Sequence, residues 1–256
     1  MPRRNALILG TKNNHNSPAH YEQLAGLLVG PAELNVTVRD DYPAQTEESL
    51  AGFDLLVLWA ADARPPFPQA AMEAVFATVR RGTPLLGIHG AAFNMGKAAG
   101  GPQAGGTAYQ SPHLPVQEFT VHIDDRQHPI TAGLEDFRIV DEPYRLDVVG
   151  DGVRVLCSFD AREAEQYTTP GRPGDVVAEV RGWSLRTPRA PVVYVKQLGA
   201  GTVCLNTLGH SPGALATPGF RQLVVQATTW LLEQGAGSGA SSRWRVADES
   251  LTSSGG

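Results

Sequence analysis

The pattern that organises this chain is Leu85-Leu86-Gly87-Ile88-His89-Gly90-Ala91-Ala92-Phe93-Asn94. Its apolar first half is typical of a buried strand, and the small residues after it favour a helix. The two elements would meet in a sharp turn at His89, which such an elbow lifts above the carboxyl end of a sheet. An imidazole there can act as a base, an acid, a metal ligand or a hydrogen-bond donor, but it is a poor substitute for a Cys or Ser nucleophile. The alternative is a histidine that only caps the following helix.

Apolar runs and helical patterns alternate on the amino-terminal side of this elbow. The alternation predicts βαβ units, and therefore an α/β fold with a doubly wound, mainly parallel sheet flanked by helices. The ligand crevice of such a sheet lies at the carboxyl ends of its strands. The predicted strands are Ala6–Leu9, Asn35–Arg39, Leu55–Trp59 and Leu85–Ile88, and the predicted helices carry apolar residues from Tyr21 to Leu28 and from Met72 to Val79.

The later part of the chain is rich in β patterns. Val116–Ile123 alternates like a strand, and Val192–Gln197 and Thr202–Asn206 are joined by a hairpin-type turn. A last helix carries an apolar stripe from Phe220 to Leu231. We therefore expect one α/β domain over residues 1–233 and a flexible Gly/Ser-rich tail over residues 234–256. The glycine-rich residues 100–106 lack phosphate-loop spacing and predict a mobile flap.

Composition narrows the range of partners. The 256 residues carry 21 basic and 26 acidic side chains and no long cluster of Lys or Arg, which argues against nucleic-acid binding. The first apolar run is too short for a signal peptide or a membrane span, so a cytoplasmic protein without membrane contact is expected. Cys157 and Cys204 lie within apolar runs, which predicts buried thiols rather than nucleophiles.

Four polar segments are predicted at one edge of the sheet. They are Asn13-Asn14-His15, Gly87-Ile88-His89-Gly90, Asp141-Glu142-Pro143-Tyr144 and Leu208-Gly209-His210. Two further stretches accompany them, Gly105-Gly106 with residues 113–117 and the run His128-Pro129-Ile130-Thr131. In this order, these segments and stretches resemble the trehalose-utilisation (ThuA-like) family.

The resemblance implies the class I glutamine amidotransferase-like fold, a flavodoxin-like arrangement. The chain departs from the family pattern at Pro143, and Asn94-Met95-Gly96-Lys97 replaces the usual Trp-bearing stretch after the elbow. His89 stands where the true amidotransferases have their cysteine, so glutamine hydrolysis through a thioester is not expected.

The resemblance also implies carbohydrate metabolism, often beside oxidoreductases that make 3-keto sugars. A carbonyl at C3 acidifies the C2–H, so a base can remove that proton while the enolate is stabilised, after which a group at C1 can leave. His89 or Glu142 would be the base, and His15 and His210 would polarise the carbonyl. The predicted substrate-binding residues are Asn13, Asn14, His113 and Tyr144.

No cofactor is established by the sequence, although a divalent metal ion would suit the candidate ligands His15, His89 and His210. The expected partner is a small carbohydrate-like molecule, and the hydrolase, lyase and isomerase outcomes all stay open. Assembly into a homo-oligomer also stays open. Two other functions are a tailoring enzyme of a biosynthetic pathway and a non-catalytic protein that binds sugar or serves as an assembly subunit.

Overall fold

The computed structural model describes residues 3–11, 18–30, 33–60, 68–162 and 174–236. The strands are β1 (Asn5–Gly10), β2 (Asn35–Arg39), β3 (Leu55–Trp59), β4 (Leu85–Ile88), β5 (Thr107–Gln110), β6 (Gln117–Ile123), β7 (Phe137–Asp141), β8 (Arg145–Val148), β9 (Val153–Asp160), β10 (Arg189–Leu198) and β11 (Gly201–Asn206). The helices are α1 (Pro18–Val29), α2 (Glu47–Leu50), α3 (Gln69–Arg80), α4 (Ala91–Lys97), α5 (Gly101–Gly105), α6 (Gly174–Arg186), α7 (Pro212–Ala216) and α8 (Pro218–Ala236).

One large mixed sheet carries the fold, in the order β2-β1-β3-β4-β11-β10-β9-β6-β7. The neighbours from β2 to β11 pair in parallel, and those from β11 to β7 pair antiparallel. Strands β5 and β8 form a separate antiparallel pair. The sheet confirms the predicted α/β fold with a mainly parallel first part and a β-rich later part.

The central strands are buried on both faces because helices cover both sides of the sheet. Every residue of β3, β4 and β11 is buried. Successive side chains of a strand point to opposite faces, so Ile8 and Val57 join one core cluster while Leu7 and Leu56 join the other. This explains why the parallel strands appear in the sequence as continuous apolar runs rather than as alternating patterns.

The helices predicted from apolar spacing are present as α1, α3 and α8. Helix α8 continues to Ala236, three residues beyond the predicted domain end at Glu233. Residues 237–256, most of the predicted tail, lie outside the described residues. None of the helices in the described parts of the chain is long and apolar enough to cross a membrane.

The glycine-rich segment at residues 100–106 is not a flap, so that prediction is wrong. It forms α5, in which Ala104 and Gly105 are buried. The segment packs so closely on α4 that a Cβ on Gly101 would lie 2.0 Å from the backbone oxygen of Met95. These glycines permit close packing, and glycine content by itself did not distinguish this use from mobility.

Helix α6 was not predicted from the sequence. Its Val180 and Trp183 are buried, and the Trp183 indole donates a hydrogen bond of 3.0 Å to Asp147.

The two cysteines are buried as predicted, and burial raises the pKa of the Cys204 thiol to about 12. Burial likewise raises the pKa of the Cys157 thiol, so both are protonated at neutral pH.

Candidate functional site

The elbow after β4 holds His89 in a backbone conformation that side chains other than glycine rarely adopt, with φ of 43°. Its N–H donates to the backbone oxygen of Asn206, 2.8 Å away at the end of β11. A Cβ on Gly87 would lie 2.7 Å from Cδ1 of Leu205 and 3.1 Å from Cβ of Ala91, so glycine at this position lets β4 pack closely against β11 and α4. The elbow is therefore fixed by the backbone of the neighbouring strand.

The tautomer of His89 follows from its surroundings. Nδ1 lies 3.0 Å from the backbone oxygen of Thr207, which can only accept, so Nδ1 carries the hydrogen. Nε2 of the neutral ring then carries the lone pair and points toward Glu142 and His210. The residue is only 2% exposed, so this nitrogen acts within a buried environment.

Nε2 of His89 meets the side chains of Glu142 and His210 in a compact cluster, called here the His–Glu–His cluster. Nε2 lies 3.4 Å from Oε2 of Glu142 and 3.3 Å from Nδ1 of His210, and the last two atoms are 3.4 Å apart. These residues follow β4, β7 and β11, whose carboxyl ends share one edge of the sheet. The structure thus brings together three of the four residues predicted to be catalytic.

Asp141 positions two members of the cluster. Its carboxylate, with no exposed surface, accepts backbone N–H bonds from Gly209 at 2.7 Å, His210 at 3.1 Å and Glu142 at 2.8 Å. The loop after β11 is thereby joined to the turn after β7. Sequence reasoning quoted Asp141 within its motif but gave it no role. The only available signal was an acidic residue at the end of a β-like run.

Tyr144 packs on the buried side of the cluster. Its hydroxyl donates to Nε2 of His89 at 3.1 Å, and the two ring centroids are 4.6 Å apart. Tyr109 meets the Tyr144 ring edge-on at 5.3 Å. Burial raises the pKa of Tyr144 well above its usual value, with the nearby Glu142 carboxylate adding to the effect. The hydroxyl is therefore a hydrogen-bond donor at neutral pH.

His113 contacts the cluster from its solvent side. Its Nδ1 lies 2.9 Å from the backbone oxygen of Leu114 and 3.3 Å from Oε1 of Glu142, so Nδ1 is again the donor. Nε2 has no hydrogen-bond partner among the described residues. The His113 side chain is 34% exposed, against 22% for His210 and 2% for His89. His113 is thus the most accessible imidazole of the three.

The cluster keeps Glu142 ionised. Burial raises the pKa of this carboxyl group, but the hydrogen bond from His210 and the neighbouring imidazoles of His89 and His113 outweigh it and hold the pKa well below its usual range. The hydrogen bond to Glu142 raises the pKa of His210 against the opposing effect of burial, and Asp141 adds to the increase. The pair therefore favours a carboxylate next to an imidazolium.

Asn13, Asn14 and His15 lie outside the described residues, so their predicted roles stay predictions.

His20 in α1 was not considered as a site residue, yet its pKa is lowered by burial and by the charge of His210. Its ring lies edge-on to Trp59, with centroids 5.7 Å apart. The amino-terminal turn of α1 therefore belongs to the electrostatic surroundings of the cluster.

Solved structures with the same architecture define the class of fold. A ThuA-like protein from Bacteroides uniformis is 20% identical with a TM-score of 0.66, covering 90% of this chain and 91% of that one. A ThuA-like protein from Parabacteroides merdae is 17% identical with a TM-score of 0.65, covering 90% of each chain. A protein from Thermoplasma acidophilum, described as one subunit of a GMP synthase, is 12% identical with a TM-score of 0.56, covering 92% and 96%. The fold is thus that of ThuA-like and glutamine amidotransferase-like proteins.

The sequence identifies the family within this class. Residues 5–231 match the ThuA family, which is described as trehalose utilisation, and the chain belongs to that family. No curated protein matches the chain in sequence. Family membership relates the protein to sugar metabolism and confirms the predicted resemblance.

Proposed function

We propose that this chain is an enzyme that acts on a keto-sugar or keto-glycoside by removing a proton from the carbon next to the carbonyl. The observation that carries the proposal is the contact of an accessible imidazole, His113, with a charged His–Glu–His cluster. The family's description as trehalose utilisation supports a sugar substrate. Perturbed ionisable groups that converge in one cleft are typical of sites for acid–base chemistry.

His113 suits the role of base better than the two residues considered from the sequence. His89 is almost fully buried, and its Nε2 accepts a hydrogen bond from Tyr144. Glu142 has a lowered pKa, which makes its carboxylate a weak base. His113 is partly exposed, and its Nδ1 contacts fix the tautomer that leaves a lone pair on Nε2.

The cluster would then stabilise the developing oxyanion. The proton of C2 moves to Nε2 of His113, the C2–H electron pair forms a C2–C3 double bond, and the carbonyl π pair moves onto the C3 oxygen. The raised pKa of His210 favours an imidazolium that can donate to this oxygen. If the cluster holds a divalent cation, His210 is a neutral ligand and the cation supplies the positive charge in place of the imidazolium. When the C1 substituent leaves with its bonding pair, the C3 carbonyl re-forms and a C1–C2 double bond remains, which is the lyase outcome. Addition of water across that double bond gives the hydrolase outcome, and reprotonation of the enolate gives isomerisation.

Proton exchange tests the proposal without knowledge of the product. In D₂O, the protein should replace the C2 proton of a 3-keto-glycoside with deuterium, as followed by proton NMR, and should leave the parent glycoside unchanged. The His113→Ala variant should exchange at least about 100-fold more slowly. Exchange at the wild-type rate in this variant would remove His113 from the proposal.

The same experiment separates the alternatives. Saturable binding of keto-glycosides without exchange would contradict the enzymatic proposal and favour a sugar-binding subunit. Neither binding nor exchange across a panel of keto-sugars would contradict the substrate class and favour a tailoring enzyme with another substrate.

A further inference from the structure

We propose that the His–Glu–His cluster is a binding site for one zinc-type divalent ion, held by Nε2 of His89, Oε2 of Glu142 and Nδ1 of His210. The three atoms form a nearly equilateral triangle with sides of 3.3, 3.4 and 3.4 Å. Two imidazole nitrogens and one carboxylate oxygen are the donor set of several catalytic zinc sites. The proposal concerns binding and does not depend on the identity of the substrate.

The size of the triangle indicates the geometry of the ion. A tetrahedral ion with bonds of about 2.05 Å separates its ligand atoms by about 3.3 Å, which is about 1.63 times the bond length. An octahedral ion with bonds of about 2.1 Å separates adjacent ligands by only about 3.0 Å, which is about 1.41 times the bond length. The observed sides therefore match a tetrahedral ion.

Contacts behind the three ligand atoms already hold them in place. The Thr207 backbone oxygen accepts from Nδ1 of His89, which directs the Nε2 lone pair toward the other two ligands. A bound ion would take this lone pair, so the Tyr144 hydroxyl would no longer donate to it. Asp141 binds the backbone N–H groups of both Glu142 and His210. Such outer contacts orient metal ligands and raise affinity. The second oxygen of Glu142 is contacted by His113, which leaves Oε2 to face the proposed ion.

Charge balance favours a divalent ion. The carboxylates of Asp141 and Glu142 are both buried, and Asp141 accepts its hydrogen bonds from neutral backbone N–H groups. A dication would offset both charges. Its fourth position would lie on the side of the partly exposed His210 and His113, open to water or to a substrate oxygen, as in catalytic rather than structural zinc sites.

Metal titration of the whole chain tests the proposal. Chelator-treated protein should bind one equivalent of Zn²⁺ by elemental analysis after desalting, and saturating Zn²⁺ should raise the melting temperature by about 5–10 °C. The Co²⁺-loaded protein should show the intense visible absorption of tetrahedral cobalt. Absence of saturable binding, or the weak absorption of octahedral cobalt, would overturn the tetrahedral site.

Variants assign the bound ion to these three atoms. Glu142→Gln and His210→Ala should each lose stoichiometric binding, and His210 is exposed enough that its removal should leave the fold intact by circular dichroism. His122→Ala is the matched control, because His122 pairs with Asp136 on the surface and should not affect binding. Full binding in the Glu142→Gln and His210→Ala variants would place the ion elsewhere and contradict the proposal.

His113→Ala separates metal binding from the proposed reaction. This variant keeps all three ligand atoms, so it should still bind one equivalent, with affinity lowered about tenfold through loss of its contact with Glu142. Its proton exchange should be lost nonetheless. If His113→Ala binds no metal, the assignment of the ion to His89, Glu142 and His210 is contradicted. If His113→Ala binds metal and exchanges the proton at the wild-type rate, only the role of His113 as the base is contradicted.

Discussion

At the scale of single residues, the geometry of the site depends on how each imidazole is held. The backbone oxygen of Thr207 accepts a hydrogen bond from Nδ1 of His89, and that of Leu114 accepts one from Nδ1 of His113. Each bond fixes the tautomer of its ring. The result is that both rings present Nε2, one into the buried cluster and the other toward solvent. Histidines at these positions could therefore perform different chemistry although their side chains are identical.

The Tyr144 hydroxyl provides a test of hydrogen bonding within the cluster. Tyr144→Phe removes the donor to Nε2 of His89 but keeps the ring contacts with His89, His113 and Tyr109. We expect C2 exchange of a keto-glycoside to slow by about 10–100-fold, while the free energy of unfolding changes by less than about 1.5 kcal/mol.

Tyr109→Phe is the matched control for this experiment. It removes the same atom from the neighbouring ring, which packs against Phe93 and Tyr144 rather than against the cluster. Exchange in this variant should stay within about twofold of wild type. Equal loss of exchange in both variants would show that Tyr144 acts through packing rather than through its hydroxyl.

At the scale of elements, the segment after the elbow is defined by close backbone approach. Helix α4 packs on β5 so tightly that a Cβ on Gly96 would lie 2.6 Å from the backbone nitrogen of Tyr109. This contact connects the elbow helix to the strand whose Tyr109 supports Tyr144. Small residues in α4 therefore position the aromatic side of the site.

Substitution of two helical glycines should have opposite effects on stability. Gly96→Ala should lower the free energy of unfolding by about 1–3 kcal/mol, because the new methyl group collides with the backbone of β5. Gly26→Ala in α1 should raise it by about 0.5–1 kcal/mol, because a Cβ there meets no atom within 4 Å and alanine favours a helix. Urea denaturation followed by circular dichroism measures both. Stabilisation by Gly96→Ala would contradict the close packing of α4 on β5.

At the scale of the whole molecule, the antiparallel part of the sheet is joined to α8 through a buried histidine. His128 is 1% exposed, and its ring lies edge-on to Trp230 of α8 with centroids 4.8 Å apart. Burial, with a smaller effect of the Arg154 charge, lowers the pKa of His128 to about 4. The folded protein thus keeps this ring neutral under mildly acidic conditions.

The lowered pKa makes stability depend on pH. Between about pH 6.5 and pH 4, the unfolded chain protonates His128 while the folded chain does not, so the free energy of unfolding falls as the pH is lowered. The contribution of His128 to this fall is at most about 3 kcal/mol, from about 1.36 kcal/mol per pKa unit, and it is complete below about pH 4.

Urea denaturation at a series of pH values measures this contribution. Nδ1 of His128 accepts a hydrogen bond of 3.2 Å from the N–H of Ile130. His128→Gln keeps a polar acceptor for that N–H but cannot be protonated in this range. The variant should show a smaller loss of stability between about pH 6.5 and pH 4 than the wild-type protein. An identical pH dependence in the two proteins would contradict the lowered pKa of His128.

The sequence by itself determined the alternation of strands and helices and the position of the elbow. Apolar runs and helical spacing depend on neighbours within a few residues, so Leu55–Trp59, Leu85–Ile88 and the helix after Pro68 were predictable from local pattern. The shared edge at the carboxyl ends of parallel strands also follows from that pattern, and it placed His15 and His89 at one edge before any distance was known. Glu142 and His210 were added to them from the motifs of the family that the chain resembles.

Only the tertiary structure decided the atoms of the site. The bonds of Asp141 to Gly209 and His210 join positions 68 and 69 residues apart, which no local pattern reports. The exposure of His113 relative to His89 depends on which strands and helices cover each ring. The formation of α5 within the glycine-rich residues 100–106 depends on its close packing against α4. Solvent access and long-range hydrogen bonds depend on how the whole chain packs. For this reason only the tertiary structure shows that His113 is accessible and that His89 is enclosed.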